Sequence, residues 1–104
     1  MAGYKVIEAI ELFEMLANQK VVLVDVRNES EVATGVIPGA IHIPLALIPV
    51  KHDTLNKEET TVFYCHSGIR SAQAAAYMAS KEHGQVFNLQ GGVLAWGRAG
   101  YPFA

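Results

Sequence analysis

The sequence predicts an α/β fold built on a mainly parallel central sheet. Three observations predict it. Strand-length apolar runs alternate along the chain with stretches of helical periodicity. Val21-Val22-Leu23-Val24-Asp25-Val26 is an almost continuous apolar run, as expected of a strand covered on both faces. Glycine, proline and capping residues punctuate the boundaries between these runs.

Ile7 to Ala17 sets Ile7, Ile10, Leu12, Phe13, Leu16 and Ala17 on one helical stripe, with Glu8, Glu11 and Glu14 largely opposite as a solvated face. The run at Val21 to Val26 is the first predicted strand. Asn28 followed three residues later by Glu31 is a capping-box pattern that opens a short helix, which Gly35 ends. Pro38-Gly39 is a turn, Ala40 to Ile43 a short strand, and Pro44 begins a mixed segment to Leu55 in which Pro49 limits any helix. Thr60 to Tyr64 is β-branched and aromatic, hence a strand. Ser71 to Glu82 is a helix with Ala72, Ala75, Ala76, Met78 and Ala79 as a small-residue packing face, and Gly84 is its stop. Val86 to Leu89 is a strand, Gly91-Gly92 a turn and Val93 to Arg98 a last short helix in which Trp96 anchors packing.

The chain has 104 residues, the size of one domain spanning 1–104 and enough for a real core. A charged fraction of 17% argues against disorder, and a net charge of −2 gives no basic footprint for nucleic acid. The start has neither a basic region nor the long apolar stretch of a leader peptide, and no apolar stretch is long enough for a bilayer. A soluble cytoplasmic protein, by default a monomer, is expected. The one cysteine requires no oxidising compartment. His42, His52 and His83 are scattered without ligand spacing, so neither a metal nor a cofactor is expected.

Chemistry concentrates at Cys65-His66-Ser67-Gly68-Ile69-Arg70-Ser71, between a predicted strand and a predicted helix. In parallel sheets, ligands sit beyond the carboxyl ends of strands, which is where this segment falls. Loop amides and a helix N-terminus converge there on one spot, an arrangement that binds anions and lowers a thiol's pKa from about 8.5. Gly68 suits a turn needing positive φ, Arg70 offers a planar fork for an oxyanion, and Ser67 and Ser71 add hydroxyls, with Ser71 a candidate helix cap. A lone cysteine is ordinarily core filler, but a core cysteine needs neither Gly68 nor Arg70. The residues therefore propose a thiolate nucleophile facing a small anionic substrate. Asp25 and Arg27 end the first strand near this point; Arg27 is expected to pair, with Glu31, and to hold loops, while Asp25 shapes the pocket or does the same. His66 either tunes the thiolate or fills a solvent-facing loop.

Four blocks stand in order: Val24-Asp25-Val26-Arg27 with Glu31, Thr34 to Pro44, Cys65-x-x-Gly68-x-Arg70-Ser71, and Leu89-x-Gly91-Gly92 with Trp96. Together they resemble the rhodanese-like family, in particular its single-domain thiosulfate sulfurtransferases, over almost the whole chain. Val36 stands where that family commonly has histidine, outside the loop. The resemblance implies about five strands with helices on both faces. It implies transfer of a sulfane sulfur from thiosulfate or a similar small anionic donor, through a Cys65 persulfide, to cyanide or a thiol. A thioredoxin-like or other sulfur-acceptor protein is among the acceptors it admits. Amides from His66, Ser67, Gly68, Ile69, Arg70 and Ser71 would cradle the persulfide, and Arg70 would bind the donor's sulfite moiety. Phosphatases and arsenate reductases on this fold separate Cys and Arg by five residues. Here His66 to Ile69 make four, a tighter loop suited to one sulfur atom. The other reading is a non-catalytic interaction module of the same family, which would be free to lose Cys65, Gly68 and Arg70.

Overall fold

A computed structural model describes residues 3–104. Its strands are β1 (Lys5–Ile7), β2 (Val21–Asp25), β3 (Ile41–His42), β4 (Thr60–Tyr64) and β5 (Val86–Leu89). They form one five-stranded sheet in the order β1-β5-β4-β2-β3, and every pairing is parallel. The helices are α1 (Ala9–Asn18), α2 (Glu29–Val32), α3 (Ile48–Lys51), α4 (Ile69–Ser80) and α5 (Gly92–Arg98). Short 3₁₀ turns at Leu45–Leu47 and His52–Thr54 flank α3, the broken helical path that Pro49 foretells.

The core has two halves, one on each face of the sheet. Leu23, Val62, Tyr64 and Leu89 pack with Leu12 of α1 and Trp96 of α5. Val24, Phe63 and Cys65 pack with Ile48 of α3 and with Ala74, Ala75 and Met78 of α4. Strand alternation makes this division, because successive side chains leave opposite faces. Tyr64 and Cys65 are neighbours in sequence that point to opposite halves. Trp96 is a packing anchor: it lies against Phe13 and Tyr101, and its indole N–H donates to the Pro102 carbonyl at 2.8 Å.

Several boundaries differ from expectation. Ile7 belongs to β1, not to the first helix, and the helical stripe is narrower than read. Ala9 and Leu12 are buried, whereas Ile10, Phe13 and Ala17 are exposed. On α4 the packing face runs through Ser71, Ala74, Ala75 and Met78, and Ala76 faces outward. That helix ends at Ser80, and the left-handed residue that stops it is Glu82, not Gly84. Glu82 takes a left-handed φ of 60°, with its N–H on the Ala79 carbonyl at 3.1 Å and the His83 N–H on the Met78 carbonyl at 3.2 Å. This is a Schellman ending. Gly84 is small for another reason: a Cβ there would meet the Lys57 carbonyl at 2.6 Å.

The capping box at α2 forms as expected. Asn28 Oδ1 accepts the Glu31 N–H at 3.0 Å, and Glu31 Oε1 accepts the Asn28 N–H at 3.1 Å. Among the described residues, no helix is long and apolar enough to cross a membrane.

Candidate active site

β4 is the middle strand, flanked by β5 and β2, and Cys65 follows its last residue directly. The chain then turns through His66, Ser67 and Gly68 into α4. Gly68, at φ 106°, occupies the N-cap, a conformation that a β-carbon disfavours. Ser71 is not the cap; it lies inside the first turn of α4. Both positions serve the sulfur. The Gly68 N–H donates to Cys65 Sγ at 3.1 Å and the Ser71 N–H at 3.4 Å. The thiol thus sits on the positive end of a twelve-residue helix.

The Ser71 hydroxyl also lies 3.4 Å from Sγ, but it is 2.5 Å from Asn88 Oδ1. Its single hydrogen serves only one of these acceptors at a time, so the two amides are the standing donors to the sulfur. Asn88 Nδ2 donates to the Gly68 carbonyl at 3.1 Å. One carboxamide from β5 therefore holds both Gly68 and Ser71, whose N–H groups hydrogen-bond Sγ. Burial pushes the Cys65 thiol up, but the Ser71 hydroxyl and the amides of Ser71, Gly68 and Ser67 outweigh it. The result lies below an ordinary thiol.

The peptides that carry the His66 and Ser67 N–H groups are held from α5. The Val93 N–H donates to the Cys65 carbonyl at 2.9 Å and the Leu94 N–H to the His66 carbonyl at 3.3 Å. A peptide's N–H points opposite its C=O, so anchoring these carbonyls on α5 sets the direction of the His66 and Ser67 amides, of which Ser67's favours the thiolate. Contact this close requires glycine at position 92, where φ is 54° and a Cβ would overlap both carbonyls.

Arg70 points across the loop to α2. Its Nη1 donates to Glu31 Oε1 at 2.7 Å and its Nη2 to Glu31 Oε2 at 2.8 Å, a two-pronged pair. The Arg70 guanidinium holds the Glu31 carboxyl down at about 2. Glu31 is thus the partner of Arg70, not of Arg27. Arg27 instead binds Asp25, with Nη2 to Oδ2 at 2.7 Å and Nε to Oδ1 at 3.0 Å, and donates to the Gly35 carbonyl at 2.7 Å. Both side chains are buried, at the register level where Asp25 lies beside Tyr64 and His42. Their role is to hold the loop at Gly35 against the end of the sheet. A buried pair of this kind must leave no buried polar atom without a partner, and none is left among the described residues.

Of the residues singled out in the sequence, Cys65, Gly68 and Ser71 come together at the sulfur. His66, Ser67 and Ile69 are exposed on the outer rim. Ser67, Gly68, Ile69, Asn88, Gln90 and Gly91 line an open depression of about 370 Å³ beside the loop. Two contributors are not read from the sequence as part of the site. Asn88 is a buried polar residue in an otherwise apolar strand, which is the signal that marks it. Gly92 is visible only as half of a turn. Among the described residues, no cluster of His, Cys, Asp and Glu could hold a metal ion.

Known proteins resemble this chain in sequence and fold. Residues 8–99 match the model of the rhodanese-like domain. A sulfurtransferase of Allochromatium vinosum is 43% identical over 92% of this chain and 91% of that protein. The thiosulfate sulfurtransferase GlpE of Coxiella burnetii is 28% identical over 95% of this chain and 92% of that protein. The crystal structure of a rhodanese-like domain protein from Staphylococcus aureus superposes with a TM-score of 0.83 at 38% identity, covering 88% of this chain and 90% of that one.

Proposed function

The chain belongs to the rhodanese-like family, and on that footing we propose that it is a sulfurtransferase working through a Cys65 persulfide. The Cys65 thiolate attacks the outer sulfur of thiosulfate or a similar donor. The donor's S–S bond breaks, its electron pair leaves on sulfite, and a new S–S bond joins the transferred sulfur to Sγ. An acceptor, cyanide or a thiol, then attacks that sulfur, and the bond to Sγ breaks to restore the thiolate. Two displacements with a covalent intermediate give ping-pong kinetics.

The observation that carries the reading is the pair of helix-start amides on Sγ, at 3.1 and 3.4 Å. They favour the thiolate before attack, and the loop's convergent N–H groups suit the anionic persulfide that follows. The four-residue spacing to Arg70 supports sulfur over phosphate, and the likeness to named sulfurtransferases supports the class. A non-catalytic module would have no use for a cradle pinned from β5 and α5. The test is to incubate the protein with thiosulfate and weigh it. We expect a gain of one sulfur atom that cyanide removes as thiocyanate and that Cys65→Ser lacks. Thiocyanate formation persisting in Cys65→Ser would overturn the mechanism.

A further inference from the structure

The other end of β4 borders a cavity that the sulfur chemistry does not use. Thr61 stands near the amino end of the strand, about 13 Å from Cys65 at roughly 3.3 Å per residue. His83, just beyond α4, is only 6% exposed, and its Nε2 lies 3.0 Å from the Thr61 hydroxyl. Its Nδ1 has no hydrogen-bond partner among the described residues, yet no fully buried side-chain nitrogen or oxygen among them lacks one. Nδ1 is therefore the atom that His83 shows to the cavity it lines. That cavity holds about 520 Å³, within the roughly 300–1,000 Å³ of small-molecule sites.

Its floor is apolar, formed by the buried Leu55 and Met78. Its charged groups are Lys57, Lys81 and Asp53, two cations against one anion in a chain whose net charge is −2. Neither lysine is in an ion pair among the described residues. The Lys81 ammonium is held over the Tyr77 ring, 5.4 Å from its centroid. Lys57 lies close enough to His83 for its charge to oppose protonation of the ring. The rim is fixed as well: the Gly84 N–H donates to the Lys57 carbonyl at 3.1 Å, which ties the Lys57 turn to the chain just after His83.

We infer that this cavity is a binding site for a small organic phosphate monoester, separate from the sulfur loop. The phosphate lies between the Lys57 ammonium and His83 Nδ1, Lys81 supplies the second positive charge, and the ester's apolar body rests on Leu55 and Met78. An anion at Nδ1 selects the tautomer that carries its proton there, and Nε2 then accepts the hydrogen of the Thr61 hydroxyl. A phosphate monoester is close to a dianion at pH 7.5, its second pKa being about 6. Two lysines free of ion pairs suit a dianion better than a monocarboxylate.

Titration with phenyl phosphate, and with benzoate as the singly charged comparison, tests this through the ring ¹H–¹³C signals of His83, assigned with His83→Gln. Phenyl phosphate should shift the His83 signals saturably, and benzoate should bind at least about fivefold more weakly. Lys57→Met, at an exposed position, should raise the Kd for phenyl phosphate about fivefold, the ~1 kcal/mol of one exposed charge contact. Arg98→Met removes the same charge from α5, on the opposite face of the sheet from α4, and should leave that Kd unchanged. Unmoved His83 signals, benzoate binding as tightly as phenyl phosphate, or equal losses in the two charge variants would each overturn the inference. So would protection of Cys65 from iodoacetamide by phenyl phosphate, which would put the anion on the sulfur loop instead.

Discussion

Replacing Gly92 with alanine should separate what the α5 junction does for the fold from what it does for the sulfur. The backbone there is left-handed at φ 54°, and a Cβ would overlap the carbonyls of Cys65 and His66. Gly39 is the natural control: its φ is 88° but nothing lies within 4 Å of a Cβ built on it. Both variants carry the left-handed penalty, about 1–2 kcal/mol for an L-residue. Only Gly92→Ala must also move the loop off α5, losing the 2.9 and 3.3 Å hydrogen bonds from Val93 and Leu94. At about 1 kcal/mol net for each, the extra cost is ~2 kcal/mol. In a domain of this size that lowers Tm by roughly 8–16 °C more than Gly39→Ala does. Thermal melts by circular dichroism give the first number. Thiocyanate formation, measured well below both melting points, gives the second: the Gly92 variant should lose at least about 100-fold in kcat/KM (~2.7 kcal/mol at the sulfur), the Gly39 variant almost nothing. Equal Tm losses with equal rates would refute the claim that α5 aims the loop amides.

The pH dependence of kcat/KM should rise with thiolate formation and reach half-height below the roughly 8.5 of a free thiol, because Cys65 is shifted down; thiolate ultraviolet absorbance should titrate with it. The same shift makes the folded state more stable above the unfolded thiol's pKa, and that increment disappears as pH falls through the folded value. Glu31 behaves alike at lower pH: its share of stability is present above about 4.3 and lost toward about 2. Urea midpoints of Glu31→Gln should therefore change less over that interval than those of the wild type. Asp25→Asn leaves Arg27 buried without its counter-charge and should cost about 3–5 kcal/mol by urea unfolding. Asn88→Asp puts a carboxylate one hydroxyl away from the sulfur, so it should raise the activity midpoint toward higher pH and slow loading by anionic donors. An unmoved midpoint would show that Asn88 has no hold on the thiol.

Local signals were legible where the chain interacts with itself over a turn or two. The Asn28–Glu31 box, the apolar run of β2 and the Cys65 loop all depend on residues close in sequence, and each stands where the pattern puts it. β1 escaped because three residues, two of them exposed, make no pattern of their own; Lys5–Ile7 is extended because β5 is there to pair with it. Glu31 was visible as a capping residue, but its ion-pair partner lies 39 positions away and depends on where α4 starts. Arg27 could as well have reached Glu31 on sequence grounds; the two-residue spacing to Asp25 across the strand end is what brings that carboxylate under its guanidinium. The stop at Glu82 was misread because glycine is the usual left-handed residue, and here the glycine two places on is needed for clearance from Lys57 instead.

The order of the strands also sets a sequence of events in time. β1 lies beside β5, joining residue 5 to residue 87, the longest loop closure in the sheet, whereas β4 and β5 are linked through α4 alone. Closure entropy grows with the length of chain enclosed, so β2, β4 and β5 with α4 should condense first and β1 should zip on last. As a three-residue margin it should also fray readily in the native state. Every group that touches the sulfur hangs from the inner strands and from α4, and α5 grips the loop from behind. The protein can breathe at its edge while its nucleophile stays assembled.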